Sequence, residues 1–386
     1  MLTFAVLALV TPLGAKDYFL TIAGGYSPAG NQVSLEKNIQ FHQRVIEGLE
    51  LGEVPHDLYF SDGKAPGRDV QFEPLKSNVP DANRYLARLF GSEKYLDLEY
   101  REHELEGVDG MTSPELVEKW FKEKGSQLVA GDRVILYATA HGGKSADKKK
   151  PFNTKLYLWN TRPVYAARVA QLIDELPKGV RVMVIMAQCY SGGFAHLIFP
   201  EADESKGDKD RVVSGFFSTT HDRMAAGCTP DIDEENYDEF SSHFWAALLG
   251  KSRTGKPVES ADYDGDGSIS FEEAHAYTIL VSNTIDIPQK TSDAYLRKRA
   301  QFRDDKHPGL LPRELEYSKV LEMAPAVEKH VLAQLSESLD LTGEKRYEAA
   351  KKVADEIAKK RKQLLTNELR RNSINSFGNK KTLRGN

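Results

Sequence analysis

Two stretches of the chain are apolar at nearly every position. They are Val134-Ile-Leu-Tyr-Ala-Thr-Ala140 and Val182-Met-Val-Ile-Met-Ala187. A strand with one wet face alternates apolar and polar residues, so unbroken runs of this kind suit strands buried on both faces of a parallel sheet. Tyr18–Ala23 reads as the first strand and Val213–Thr220 as a later one. Between the two long runs, Val164–Leu176 carries a helical pattern. Strand, helix, strand is a right-handed crossover that makes the two strands parallel neighbours. Further helices are predicted over 34–49, where Leu35, Ile39, Phe41 and Val45 fall near helical spacing, and over 240–249. Another starts at Ser113-Pro114, with Ser as cap and Pro in the first position, and runs to about Lys124. Residues 51–110, rich in Gly, Pro and Asp, read as loops with short helices.

Past Pro308-Gly309 and Pro312 the character changes. Ser318–Leu339 and Glu344–Leu369 are long helical patterns of Lys, Glu, Ala and Leu, the signature of a helical hairpin or coiled-coil appendage. The division expected is an α/β domain over 16–309, with a mostly parallel sheet, followed by a basic α-helical region over 310–386. The last stretch, 371–386, reads as disordered.

Each long apolar run ends in a reactive residue. The first leads into His141-Gly142-Gly143, and the second into Gln188-Cys189-Tyr190-Ser191-Gly192-Gly193. In open α/β sheets, chemistry collects beyond the carboxyl ends of the strands. A cysteine attacks as its thiolate, which a nearby imidazole generates, and the same imidazole then protonates the leaving group. The oxyanion that forms needs backbone N–H donors close by, and glycine allows that approach. A lone cysteine after an apolar run is more often plain core. The pairing with a strand-end histidine, each with small neighbours, favours a Cys–His nucleophilic hydrolase. His221, at the end of the following strand, is the rival base.

At these residues the chain resembles the legumain and caspase group of cysteine peptidases, closer to the legumain pattern. Gly131–Tyr137 with His141-Gly142 is similar to the legumain strand and His-Gly motif. Gln188–Gly192 is similar to the strand-end cysteine motif, and the 48-residue separation is near that of caspases. Val213–Thr220 leading to Gly227–Asp231 looks like the next strand and the loop that helps form the substrate pocket. The resemblance spans about residues 17–285. It implies a caspase-like three-layer sandwich and catalytic roles for His141 and Cys189. It also implies an oxyanion hole from the backbone N–H groups of Gly142 and Cys189, and cleavage of peptide or protein substrates after one preferred side chain. The chain departs from the pattern at Ala187, where legumains are acidic, and in Ser27–Gln32, which lacks an arginine. Arg223 and Asp231 are the candidate substrate-binding residues. Asp231 would favour a basic side chain if it faced the pocket, and is otherwise one charge in the solvated run 231–239. Legumains also carry a C-terminal helical segment over the active site, an analogy that rests on position alone.

A second motif is independent of the first. Asp262, Asp264, Asp266, the Ser268 carbonyl, Ser270 and Glu273 stand at positions 1, 3, 5, 7, 9 and 12 of an EF-hand-type loop, with Gly267 at the sharp turn. The expected ligand is a structural Ca²⁺. No helix is expected before the loop, because Ser252–Pro257 breaks one, and no second hand pairs with it. No organic cofactor is indicated.

Composition adjusts this picture only in places. The 386 residues, 40% hydrophobic and 28% charged, are ordinary for a globular protein large enough for a sizeable core. The net charge of −5 is uneven: from Leu341 onward 13 Lys/Arg face 5 Asp/Glu. A solvated helix face accounts for such a tail better than nucleic-acid binding does. Two cysteines make no disulfide framework, and Cys228 is expected as the unpaired neighbour of Cys189. Leu2–Val10 before Thr11–Ala15 resembles a signal peptide, so residues 1–15 are expected to be a leader and the protein exported, periplasmic or extracellular. No other segment is long and apolar enough to span a membrane. The alternatives to a peptidase are a non-catalytic, calcium-stabilised interaction protein and a peptide ligase or transpeptidase. The sequence does not fix the oligomeric state.

Overall fold

The computed structural model describes residues 15–49, 51, 54–76, 78–91, 93, 96–300, 315–344, 346 and 348–360. Residues 1–14, nearly all of the expected leader, lie outside them, as does the expected disordered stretch at 371–386. The strands are β1 (Asp17–Gly24), β2 (His56–Phe60), β3 (Val70–Phe72), β4 (Glu99–Arg101), β5 (Val108–Gly110), β6 (Arg133–Gly143), β7 (Lys155–Leu158), β8 (Arg162–Tyr165), β9 (Arg181–Met186), β10 (Val213–Phe217) and β11 (Gln289–Lys290). Nine of them form one sheet, whose path runs β11-β10-β9-β6-β1-β2-β5. β7 and β8 extend from the end of β6, and β3 and β4 pair separately. Every neighbour along the path is parallel except β11.

The helices are α1 (Val33–Gly48), α2 (Asp81–Phe90), α3 (Pro114–Glu123), α4 (Ala166–Asp174), α5 (Phe240–Leu249), α6 (Phe271–Val281), α7 (Thr291–Ala300), α8 (Tyr317–Met323) and α9 (Ala326–Ser338). They cover both faces of the sheet and give a three-layer α/β sandwich with helices appended at the C-terminus. The unbroken apolar runs follow from this layering. Val134, Leu136 and Ala138 enter one core with Trp120 of α3 and Val169 of α4. Ile135 and Tyr137, on the opposite face, join Ile39 of α1 and Trp245 of α5. Both faces of β6 are dry from Val134 to Ala140, and the polar Thr139 there is satisfied inside the core, its hydroxyl accepting from the Asn38 amide at 3.0 Å.

Several expected boundaries hold closely. α3 begins at Pro114, with the Ser113 hydroxyl accepting the Leu116 N–H at 3.1 Å. The crossover between β6 and β9 is parallel and in register, Arg133 opposite Arg181 and Ala138 opposite Met186. Other boundaries shift for physical reasons. The helix expected over 164–176 starts at Ala166, because Val164 pairs with Leu156 in the β7–β8 hairpin. β6 continues through His141 to Gly143, because those residues pair antiparallel with Tyr157, Leu156 and Lys155. The helix expected over 318–339 is two helices. Pro325 lacks an N–H and holds Ala324 in an extended conformation (ψ 139°), which ends α8 and starts α9. Residues 348–360 are helical within the segment expected over 344–369. Among the described residues, no helix is long and apolar enough to cross a membrane.

Candidate active site at the carboxyl end of the sheet

β9 ends at Met186, and the chain passes through buried Ala187 and Gln188 into a sharp turn. Tyr190 sits in the left-handed region (φ 61°), which a non-glycine side chain adopts only when its surroundings impose it. Its N–H donates to the Arg223 carbonyl at 2.8 Å. The next residue, Ser191, is fully buried; its hydroxyl lies 3.1 Å from that of Ser218 and accepts the Thr219 N–H at 3.2 Å. The cysteine turn is thus tied to the end of the next strand, β10, and Cys189 projects beyond the sheet. Its Sγ accepts the Ala225 N–H at 3.3 Å and lies 3.8 Å from the Ala225 carbonyl. Burial, helped by the nearby Cys228, pushes the Cys189 thiol up to about 12.

His141 stands at the end of the adjacent strand. Its Nε2 is 2.7 Å from the Gly30 carbonyl and 3.0 Å from the Gln32 Oε1. A carbonyl oxygen only accepts, so Nε2 carries the proton and Nδ1 presents a lone pair. That Nδ1 faces Cys228 Sγ at 3.7 Å, while no hydrogen bond joins it to Cys189. Burial lowers the His141 pKa, with the Gly30 hydrogen bond opposing the shift. The resting pair is therefore a neutral imidazole beside neutral thiols. The Tyr26 ring meets the imidazole edge-on at 5.1 Å.

Gly142 joins the two halves. A Cβ built on it would fall 1.8 Å from the Cys189 carbonyl oxygen. Only glycine lets β6 lie so close to the cysteine turn, and this brings together the two residues whose N–H groups the resemblance assigns to an oxyanion hole.

The other expected site residues fall out differently. Asp231 serves its own turn: Oδ1 accepts the Asp233 N–H and Oδ2 accepts from Asn236, both at 2.8 Å. Arg223 lies beside the cysteine turn with its Nε buried and without a hydrogen-bond partner. His221 packs against Phe152, 4.5 Å between ring centroids, and makes no hydrogen bond to Cys189. The loop of Gly30 and Gln32, noticed in the sequence only for its missing arginine, supplies the imidazole's orienting contacts. Its buried Asn31 clamps it by accepting the Gly25 N–H at 2.8 Å and donating to the Asp69 carbonyl at 3.0 Å. The amide pair Asn31-Gln32, in the turn between the first strand and the first helix, is the trace of this in the sequence.

The calcium-type loop lies at the opposite end of the sheet. Ile269, Ser270, Phe271 and Glu272 share an apolar cleft of about 470 Å³ with Asp17 and Arg133, the first residues of β1 and β6. Carboxylate oxygens of Asp262, Asp264 and Glu273 lie within 4.8 Å of one another. Asp266 is outside that trio; its Oδ1 accepts the Ser268 N–H at 2.8 Å. Ser270 caps α6, its hydroxyl accepting the Glu273 N–H while Glu273 accepts the Ser270 N–H, a reciprocal capping box. Glu273 Oε1 also accepts the N–H groups of Tyr263 and Asp264, and these bonds hold its carboxyl below the usual range against the opposing effect of burial. Gly267 takes the turn at φ +85°. Three converging carboxylates, a left-handed glycine at the sixth position and Ile269 packed toward the core fit a hard, oxygen-seeking cation.

No family model matches the chain, and no curated protein matches it. Among solved structures, it is similar to protein GSU0716 from Geobacter sulfurreducens at 12% identity, with a TM-score of 0.40, over 71% of this chain and 92% of that one.

Proposed function

We propose that the protein is a cysteine-type endopeptidase. Cys189 is the nucleophile and His141 the acid–base group, and peptide bonds are hydrolysed through a thioacyl-enzyme. The observation that carries this reading is the junction at Gly142, where the strand end bearing the imidazole lies against the Cys189 backbone with no room for a side chain. The deprotonated Nδ1 accepts the thiol proton as substrate arrives, since burial keeps the thiol neutral at rest. The sulfur adds to the carbonyl, and the Gly142 and Cys189 N–H groups receive the negative charge. His141 then returns the proton to the leaving amine, and water releases the acyl group by the same steps. The legumain-like sequence pattern supports this assignment. A Ca²⁺ held by Asp262, Asp264 and Glu273 would brace the opposite end of the sheet and take no part in the chemistry.

One observation favours a second reading. His141 Nδ1 contacts Cys228 and not Cys189, as a scaffold that binds partners without catalysis could tolerate. Incubation of the protein and its Cys189→Ala variant with a mixed fluorogenic peptide library, with calcium or chelator, separates the two. Cleavage that disappears in the variant supports the peptidase. Cleavage that persists, or none from folded protein after trimming of the C-terminal helices, moves the assignment to the interaction scaffold. Transfer of the acyl group to an added amine would instead mark a ligase.

A further inference from the structure

The site holds one thiol more than hydrolysis needs. Cys228 Sγ lies 3.7 Å from the His141 Nδ1, and the residue is exposed. Three residues earlier on the same loop, Ala225 makes both backbone contacts to Cys189 Sγ. One short segment, 225–228, therefore touches the first sulfur and supplies the second. It is held from behind: the Ala226 N–H donates to Asp286 Oδ1 at 2.8 Å, and the Thr229 N–H to Ser34 Oγ at 3.0 Å. Gly227 packs on Glu239, which is buried and paired with Arg253 at 2.9 Å. Gly227 itself sits at φ +117°, a conformation that glycine adopts without strain and that turns the chain beside Cys228. Two descriptions of Cys228 pull apart: its surface is open, yet the surrounding atoms push its thiol up to about 12. Reagent access follows the open surface, and the adjacent Nδ1 provides a place for the proton.

We propose that Cys189 and Cys228 form a reversible intramolecular disulfide when a hydroperoxide enters the site, and that this bond removes the nucleophile from use. The Cys228 thiol gives its proton to His141 Nδ1, and the thiolate attacks the outer peroxide oxygen. The O–O bond breaks, the departing oxygen takes the proton from the imidazole, and Cys228 is left as a sulfenic acid. The peroxide is reduced to an alcohol, or to water from hydrogen peroxide. Cys189 then attacks the sulfenyl sulfur, the S–O bond breaks, and hydroxide leaves with the Cys189 proton as water. Overall, two thiols and one hydroperoxide become one disulfide, one alcohol or water, and one further water. A dithiol reverses it by exchange.

The test uses the full chain and hydrogen peroxide, read by intact mass and thiol labelling under denaturing, non-reducing conditions. The expected result is loss of both free thiols, a mass lower by two hydrogens, a linked Cys189–Cys228 peptide, and recovery of both thiols with dithiothreitol. In Cys228→Ser, Cys189 should stay reduced and labelable, and in Cys189→Ser oxidation should stop at an oxygen adduct on Cys228. The proposal is overturned by oxygen on one cysteine of the unmutated protein while the other stays labelable, by a bond between two chains, or by no reaction. It shares Cys189 with the peptidase reading, but thiol counting does not depend on turnover. A disulfide without peptidase activity would sink only that reading, and activity without the disulfide only this proposal.

Discussion

The two ends of the central sheet solve opposite electrostatic problems. At the carboxyl end, Cys189 and His141 are desolvated until neither holds its charge easily: the thiol is pushed up to about 12 and the imidazole is lowered. At the amino end, Glu273 is held ionised by backbone N–H groups, with Asp262 and Asp264 beside it. The first arrangement keeps both groups neutral, as the proposed proton exchange between them requires. The second stores charge that a cation can neutralise.

The sharpest way to break the comparison is at the sulfur. Cys189→Ala should lower kcat by roughly 10⁴-fold or more, as loss of a nucleophile generally does, while leaving calcium-dependent stability unchanged. Steady-state kinetics beside thermal melts would show both. Gly142→Ala comes next. Its methyl group would collide with the Cys189 carbonyl, so the strand end and the cysteine turn must separate. The expected loss is about 10²- to 10³-fold in kcat, the range for a disturbed oxyanion hole. A variant retaining full kcat would break the assignment of Gly142 to the site.

The calcium end should respond in stability and not in chemistry. Calcium at a hundredfold excess over its Kd should stabilise the fold by about 2.7 kcal/mol by mass action, read as a rise in Tm that chelator reverses. Asp262→Asn should abolish most of that rise with kcat nearly unchanged. The pH dependence has the matching sign. Glu273 titrates below its ordinary value in the fold, so its contribution is present above the unfolded carboxyl range and is lost as pH falls through the lowered folded pKa. Acid in the carboxyl range should therefore weaken this end, and calcium-dependent stabilisation should fade with it.

The sequence was informative where one residue type has one physical meaning. The strands β6 and β9 were readable because burial on two faces leaves no alternation, and α3 because Ser113-Pro114 is a cap. In the loop at 262–273 the spacing brings Asp262, Asp264 and Glu273 together, while Asp266 stays apart and accepts the Ser268 N–H. Reading failed where tertiary partners decide. Val164 carries a helical pattern, yet it pairs with Leu156 across a hairpin. Asp231 could be read as a pocket charge or as one charge of a solvated run, and only its tertiary setting shows its carboxylate accepting the N–H of Asp233 within its own turn. The imidazole's true partners, Gly30 and Gln32, lie more than a hundred residues away along the chain. No local pattern announces a backbone carbonyl as the partner that orients a distant imidazole.

That last contact gives the finest test. Gly30 and Gln32 both receive the His141 Nε2 proton, so either alone keeps the tautomer that leaves Nδ1 free. Gln32→Ala removes the longer of the two bonds, at 3.0 Å, and leaves the 2.7 Å bond to Gly30. The expected loss in kcat/KM is under about tenfold, the value of one modest hydrogen bond. The pH profile separates orientation from plain structure. Burial lowers the His141 pKa, so the acid limb should lie below the ordinary imidazole range in the unmutated protein. Opening a space at Gln32 admits water and relieves that burial, which should move the limb upward. An unchanged limb with a tenfold or greater loss of kcat would mean that Gln32 meets the substrate, and the specificity search would move from the 223–231 loop to the loop after β1.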